Sequence, residues 1–176
     1  MWDFFETVRH RHSIRKYQRD MPVEAEKLHA ILEMACAAPS AGDLQSYRII
    51  VVRDPHKRAA LQHAAQDQTF ITEAPVCLVF CADPRRSANI FGERGAKLYA
   101  VQDTTIAAAY AQLAIVAAGM GSTWVGQFNE TQVQNALDLE PDLMPIALLS
   151  LGYPAELPNL SARRRLQDIV DFSDPD

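Results

Sequence analysis

Cysteine is scarce in this chain. The three present, Cys36, Cys77 and Cys81, show neither the Cys-x-x-Cys spacing of a redox centre nor the Cys/His spacing of a zinc site. They are expected as buried free thiols. No Pro-, Gly- or Ser-rich linker, block of like charge, internal repeat or low-complexity segment divides the sequence, so its 176 residues are expected to form one domain over 1–176 with a substantial core. No continuous apolar segment precedes the charged residues that start at Asp3, which leaves no secretory signal or lipid anchor in view and points to the cytoplasm. A net charge of -5 argues against nucleic acid as the main partner. A membrane span is disfavoured too: the longest apolar run carries Tyr110 and Gln112 in its middle and has no basic flank on its C-terminal side. Ser/His/Asp and Cys/His constellations for nucleophilic catalysis are also missing.

What is present is organised around that apolar run, Tyr99 to Gly126. From Asp103 to Met120 there is no lysine, arginine or glutamate, and apolar residues cover every helical face. A helix of this kind is enclosed on all sides, either within the core of one chain or at a seam with a second subunit. Gln102, Asp103 and Thr104 supply a polar start and Gly119 a stop. Three glycines in the eight residues from Gly119 to Gly126 allow backbone around Ser122, Thr123 and Trp124 to approach something flat or anionic.

Along the rest of the chain, a short helix over Asp3 to Val8 is expected to turn Phe4, Phe5 and Val8 to the core. Pro22 opens a helix that Pro39 stops after Ala38, and a strand is expected over Arg48 to Arg53. Asp54 and Pro55 start a helix to Ala65; Phe70 and Ile71 fall in a turn region. Val76 to Ala82 is a continuous apolar run of central-strand length, and Pro145 to Gly152 is a second buried strand. Asn129 caps a short helix with Gln132 at its third position. Asp83 to Leu98 is mixed, and the tail from Leu160 carries Arg163, Arg164 and Arg165 before a strand-like Ile169 and Val170.

Two stretches carry candidate chemistry. Arg9, His10, Arg11, His12, Ser13, Arg15 and Lys16 form a basic cluster in an acidic protein: a solvated loop, or a phosphate site in which guanidinium forks grip oxygens and Ser13 adds a neutral donor. His10 and His12 are poor metal ligands there, because the surrounding cations repel a metal and no carboxylate stands close in sequence. Ser40, Asp43 and Gln45, in the loop before a strand, offer donors and acceptors to a ligand edge, although an ordinary helix-to-strand loop looks the same.

Four blocks, in this order, resemble the FMN-dependent nitroreductase family: Arg11 to Arg15, Ala38 to Gln45, Gln102 to Gly126, and Gly152, Tyr153, Pro154 with Arg163 and Leu166 beyond. The resemblance covers nearly the whole chain. It implies an α+β fold, a mixed and largely antiparallel sheet sandwiched between helices, in an intertwined homodimer with two FMN sites at the interface. The apolar helix becomes the dimer core, and the segment around Ile169 reaches across to the partner's sheet. Arg11, His12, Ser13, Arg15 and Arg163 become flavin ligands, with Arg11 and Arg163 on the phosphate and Arg15 toward the flavin N1/O2 side. Ser40 and Gln45 approach the flavin from the partner chain, with Pro39, Ala41 and Asp43 also among the cofactor-binding residues, while Val125 and Gly126 lie beside the ring, with the Gly126 backbone N–H near flavin N5. Asp43 stands where relatives often have asparagine, and Ser161 where they often have lysine. A longer helical segment of larger relatives is absent, which leaves Phe70, Phe91 and Phe128 to cover a substrate.

The implied function is an oxidoreductase in which NAD(P)H reduces FMN and leaves, and an electron-poor nitroaromatic or quinone accepts electrons at the same face, by a ping-pong route of hydride transfer. Two other expectations share the scaffold: dehydrogenation, dehalogenation or flavin degradation, with a deazaflavin donor in some relatives, and a flavin-binding sensor without turnover. A doubly wound nucleotide binder fits poorly, because two helices precede the first convincing strand. The expected partners are thus a second copy and small molecules, with no metal.

Overall fold

A computed structural model describes residues 3–157 and 161–173. Its centre is a sheet of four strands, β1 (Tyr47–Val52), β2 (Val76–Ala82), β3 (Gly121–Val125) and β4 (Met144–Gly152), in the order β1-β2-β4-β3. All three pairings are antiparallel, and a parallel bridge joins Ser13 to Ser122 outside the strands. Seven helices accompany the sheet among the described residues: α1 (Phe4–His10), α2 (Ala25–Cys36), α3 (Pro55–Ala64), α4 (Phe70–Glu73), α5 (Pro84–Arg94), α6 (Ala100–Ala117) and α7 (Glu130–Leu137).

β2 explains the layering. Every one of its residues is buried, so both of its faces need cover. Val76, Leu78 and Phe80 join Ala147, Leu149 and Leu151 of β4 against Leu28, Ile31 and Ala35 of α2 and Ala107, Ala108, Ala111 and Ile115 of α6. Cys77, Val79 and Cys81, one residue out of phase, join Leu148 and Val125 against Leu61 and Ala64 of α3, Phe70 and Ile71 of α4, and Val133 and Leu137 of α7. The α+β sheet sandwiched between helices that the resemblance implies is what forms.

Cys77 and Cys81 are the expected buried thiols, and loss of water pushes both up to about 12. Cys36 departs from the expectation: it is exposed at the end of α2.

The other departures share one cause, that local pattern does not say what packs where. Phe4, Phe5 and Val8 do not face the core; they are 65%, 68% and 45% exposed, because α1 buries only Thr7 and no described residue covers its apolar side. α5 fills the segment expected to be mixed, and its start carries the same Asp–Pro signature as α3: Asp83 caps it as Asp54 caps α3. Phe70 and Ile71 are helical and buried rather than in a turn. A π-type turn at Gly95–Tyr99 runs into α6, so that helix starts at Ala100 without a side-chain cap and Asp103 lies inside it.

Burial along α6 is one-sided within this chain. Ala100, Thr104, Ala107, Ala108, Ala111 and Ile115 are buried, but Tyr110 is 41% exposed and joins Phe4, Met34, Leu113 and Ala117 in an open apolar recess. The tail makes no strand at Ile169 and Val170. It forms a turn at Leu166–Asp168 with Leu166, Ile169 and Phe172 exposed, since a strand needs a neighbour and none lies there. Leu160, at the start of that tail, lies outside the described residues. No described helix is long and apolar enough to cross a membrane.

Candidate functional site

The basic segment Arg11–Arg15 is fastened to the sheet through one residue, Ile14. Its N–H donates to the Ser122 carbonyl at 3.0 Å, and its own carbonyl accepts from the Tyr17 hydroxyl at 2.6 Å and from the Thr123 hydroxyl. Because the single Tyr17 proton goes to Ile14, the Ser150 hydroxyl, 2.7 Å away, is the donor in that pair. The segment lies so close to β3 that a Cβ on Gly121 would stand 2.3 Å from Ile14 Cγ1. With Ile14 and Tyr17 buried, the intervening polar residues are left to the surface.

A cavity of about 420 Å³ is lined by Arg11, His12, Ser13, Arg15 and Arg163, together with Ser161 and Glu156. The five flavin ligands expected from the two ends of the chain are thus brought together. Arg11 is half-buried, and its pKa is lowered first by that burial and then by the charge of Arg163. Glu156 is paired with Lys16 at 3.4 Å, and among the described residues no carboxylate pairs with Arg11, Arg15 or Arg163. Two cations that raise each other's energy, one partly dehydrated, form a site that an anion stabilises. The phosphate of a mononucleotide has the charge and the oxygen geometry for guanidinium forks, so this donor set fits FMN.

Tyr17 ties this anchor to pH. Burial pushes its phenol up to about 12 from an ordinary 10.0, against the lowering effect of its bond to Ser150. A group that holds its proton more tightly when folded contributes stability that is complete below its unfolded pKa and is lost as pH rises through its folded pKa. Stability is therefore expected to fall between about pH 10 and 12, with Cys77 and Cys81 adding to the slope. In denaturant titrations at several alkaline pH values, Tyr17→Phe should flatten the part of this loss due to Tyr17. An unchanged slope would count against a buried phenol.

The second stretch, residues 39–45, is a strained turn. Gly42, Asp43 and Gln45 all have left-handed backbone, with φ of 57°, 54° and 49°. It is held from several sides: Gln45 N–H donates to Ser40 Oγ at 3.0 Å, Gln45 Nε2 to the Cys36 carbonyl at 2.8 Å, and Arg86 Nε to the Leu44 carbonyl. Ala41 N–H donates to Asp103 Oδ1 on α6 at 2.9 Å. Pro39, Ser40 and Ala41 line a cavity of about 540 Å³ with Asp103; Asp43 and Gln45 line one of about 490 Å³ with Cys36 and Tyr110. No arginine of the first site lines either, so within one chain the two groups of expected ligands serve separate cavities.

The remaining expected residues are scattered. Val125 is buried at the end of β3 and Gly126 is exposed just beyond it. Phe70 belongs to the core, 7% exposed among Leu61, Ile71 and Val133, and this corrects its placement over a substrate. Phe128 packs half-buried on the same core. Phe91 meets Tyr99 edge-to-face, with ring centroids 5.2 Å apart, and lies beneath Gly42, where a Cβ would stand 3.1 Å from Phe91 Cζ. Tyr17, Thr123, Asp103 and Arg86 were not anticipated. Only Asp103 carried a signal, as the acidic residue in an otherwise apolar helix.

Comparison with known proteins agrees with this geometry. The family model described as "Nitroreductase family" matches residues 8–71 and 62–153. A Thermus thermophilus protein named NADH dehydrogenase is 36% identical over 187 residues, covering 91% of both chains. The Bacillus subtilis FMN reductase [NAD(P)H] is 31% identical over 157 residues, covering 82% of this chain and 63% of its own. The solved structure of B. megaterium NfrA2 superposes with a TM-score of 0.91 at 26% identity, covering 100% of this chain and 76% of that one. From the arginine cavity, the helix-flanked sheet and these matches together, the chain belongs to the nitroreductase family.

Proposed function

We propose that residues 1–176 act as a single FMN-binding domain of an NAD(P)H-dependent oxidoreductase, which reduces an electron-poor acceptor of nitroaromatic or quinone type by a ping-pong route. The observation that carries this is the cavity in which Arg11, Ser13 and Arg163 converge with no paired carboxylate among the described residues. The names of relatives, an FMN reductase and an NADH dehydrogenase among them, support the redox class and both small molecules. When bound, FMN supplies hydride chemistry that no side-chain constellation of this protein provides.

The protein's own part is to bind, orient and exclude. Arg11 and Arg163 would hold the phosphate, Ser13 and His12 would donate alongside, and Arg15 would put positive charge toward the N1/O2 side of the ring, where it favours electron uptake. Gly126, without a side chain and exposed at the end of β3, would offer its backbone N–H to N5 and leave room for donor and acceptor in turn. Phe91 and Phe128 remain candidates for the substrate side.

A homodimer completes this reading. Phe4, Phe5, Val8 and Met34 form an exposed apolar face beside Tyr110, and Leu166, Ile169 and Phe172 extend an exposed apolar tail. Such surfaces are expected to be covered. In a dimer the turn at residues 39–45 of one copy would face the arginine cavity of the other, which accounts for their separation within one chain. The purified protein should be yellow, dimeric by light scattering, bleached anaerobically by NADH or NADPH, and should oxidise the nicotinamide with menadione. Colour without bleaching would overturn the nicotinamide donor; bleaching without menadione turnover would favour a sensor.

A further inference from the structure

Asp103 is the one acidic residue between Tyr99 and Met120, and it is 2% exposed. Its carboxylate divides its work unevenly. Oδ1 accepts the Ala41 N–H at 2.9 Å, while Oδ2 is buried without a hydrogen-bond partner among the described residues. Burying a carboxylate with one oxygen unsatisfied is costly, and a fully apolar residue would suit this helix face better. What the arrangement achieves is at Ala41. That residue opens the turn whose Gly42, Asp43 and Gln45 are left-handed, a backbone that relaxes unless its surroundings fix it.

Most of the other ties of this turn are weaker anchors. Gln45 N–H to Ser40 Oγ lies within the turn itself and so cannot fix it to the core, and Gln45 Nε2 reaches only the exposed end of α2. Arg86 is an exposed side chain. The Asp103–Ala41 bond ties the half-buried turn directly to a buried carboxylate on α6, the helix on which the sheet packs.

We propose that Asp103 is a positioning residue for the flavin site: by clamping Ala41 to α6 it holds Ser40, Asp43 and Gln45 in the strained geometry that meets FMN. This rests on the assignment of the 39–45 turn to the flavin, given above. Asp103 touches neither flavin nor substrate in this role and acts through the turn. An amide in its place keeps an oxygen for Ala41, whereas a methyl group does not.

The test compares wild type, Asp103→Asn, Asp103→Ala and Ala41→Pro, the last removing the N–H donor at the first position of a helical turn, where the fixed φ of proline is tolerated. FMN affinity is read by fluorescence quenching, and amide exchange of the segment over 40–45 by mass spectrometry, with the Tm of each FMN-free variant. The expected result is a roughly 10-fold or greater loss of FMN affinity, with faster exchange over 40–45, in both Asp103→Ala and Ala41→Pro. Asp103→Asn should rescue affinity to within about 3-fold of wild type. Should Asp103→Ala fail to fold, Ala41→Pro decides through the amide exchange over 40–45 in the FMN-free protein, because it leaves the α6 side chains intact and a merely lost flavin contact would not speed that exchange. Faster exchange without loss of affinity in the variants overturns the positioning role, and so does an Asp103→Asn as impaired as alanine. A wild-type protein that binds no FMN fails before any variant is compared, and that failure belongs to the flavin assignment itself.

Discussion

Arg11→Ala is expected to weaken FMN binding by roughly 10- to 150-fold while leaving the FMN-free protein at least as stable as wild type. The first half follows from hydrogen bonds to a charged group, worth about 1.5–3 kcal/mol. The second follows from the surroundings of Arg11 in the FMN-free protein. Burial, then the facing charge of Arg163, lower its pKa, so its protonated form is disfavoured by folding at neutral pH. Deleting that guanidinium removes a cost when no anion is present and removes a ligand when one is. Thermal melts with and without saturating FMN, read beside a quenching titration, separate the two halves. Arg11→Lys should fall between, since it keeps the charge but loses the fork. A variant that loses stability without FMN and keeps its affinity would place the phosphate elsewhere.

Gly121→Ala carries the other large effect, and it begins in packing. The new Cβ would lie 2.3 Å from Ile14 Cγ1, 2.9 Å from Ile14 Cβ and 3.2 Å from Pro154 Cγ, none of which is the end of a flexible chain. Overpacking of this kind costs about 1–3 kcal/mol, or roughly 2–12 °C in Tm for a domain of this size. The functional consequence comes through Ile14, whose backbone is the pin for Ser13 and Arg15, so FMN affinity should fall in the same variant. Adding Ile14→Ala removes the Cγ1 clash but leaves the Cβ contact, and the double variant should recover only part of the loss. An unchanged Tm and affinity for Gly121→Ala would mean that the basic segment does not lie against β3 so closely.

The two variants probe parts of the site that were unequally legible. The arginines and Ser13 stand within five residues, and their local charge excess was visible without any structure. Arg163 was visible as a cluster member, yet its approach to Arg11 depends on how the tail folds back. Gly121 was visible as one of several closely spaced glycines; that Ile14 is what approaches it was not. Phe70 and Phe91 were equally plausible as loop aromatics, and one became core while the other braced the 39–45 turn. A side chain's type limits what it can touch, but the packed neighbour decides what it does touch.

The sequence by itself determined features that depend on neighbours a few residues apart or on unbroken composition. The Asp54 and Asn129 caps form because the donor lies three residues on. β2 is central because seven successive buried residues leave no polar face. The basic segment is cationic wherever the chain puts it. The tertiary structure alone decided which side of α6 is covered, that Phe4 and Phe5 face outward, that Tyr17 and Thr123 both reach the Ile14 carbonyl, and that Asp103 points to Ala41 instead of starting a helix. Each of these depends on the free energy of surfaces and hydrogen-bonding groups that are distant along the chain and meet only when the sheet and helices pack.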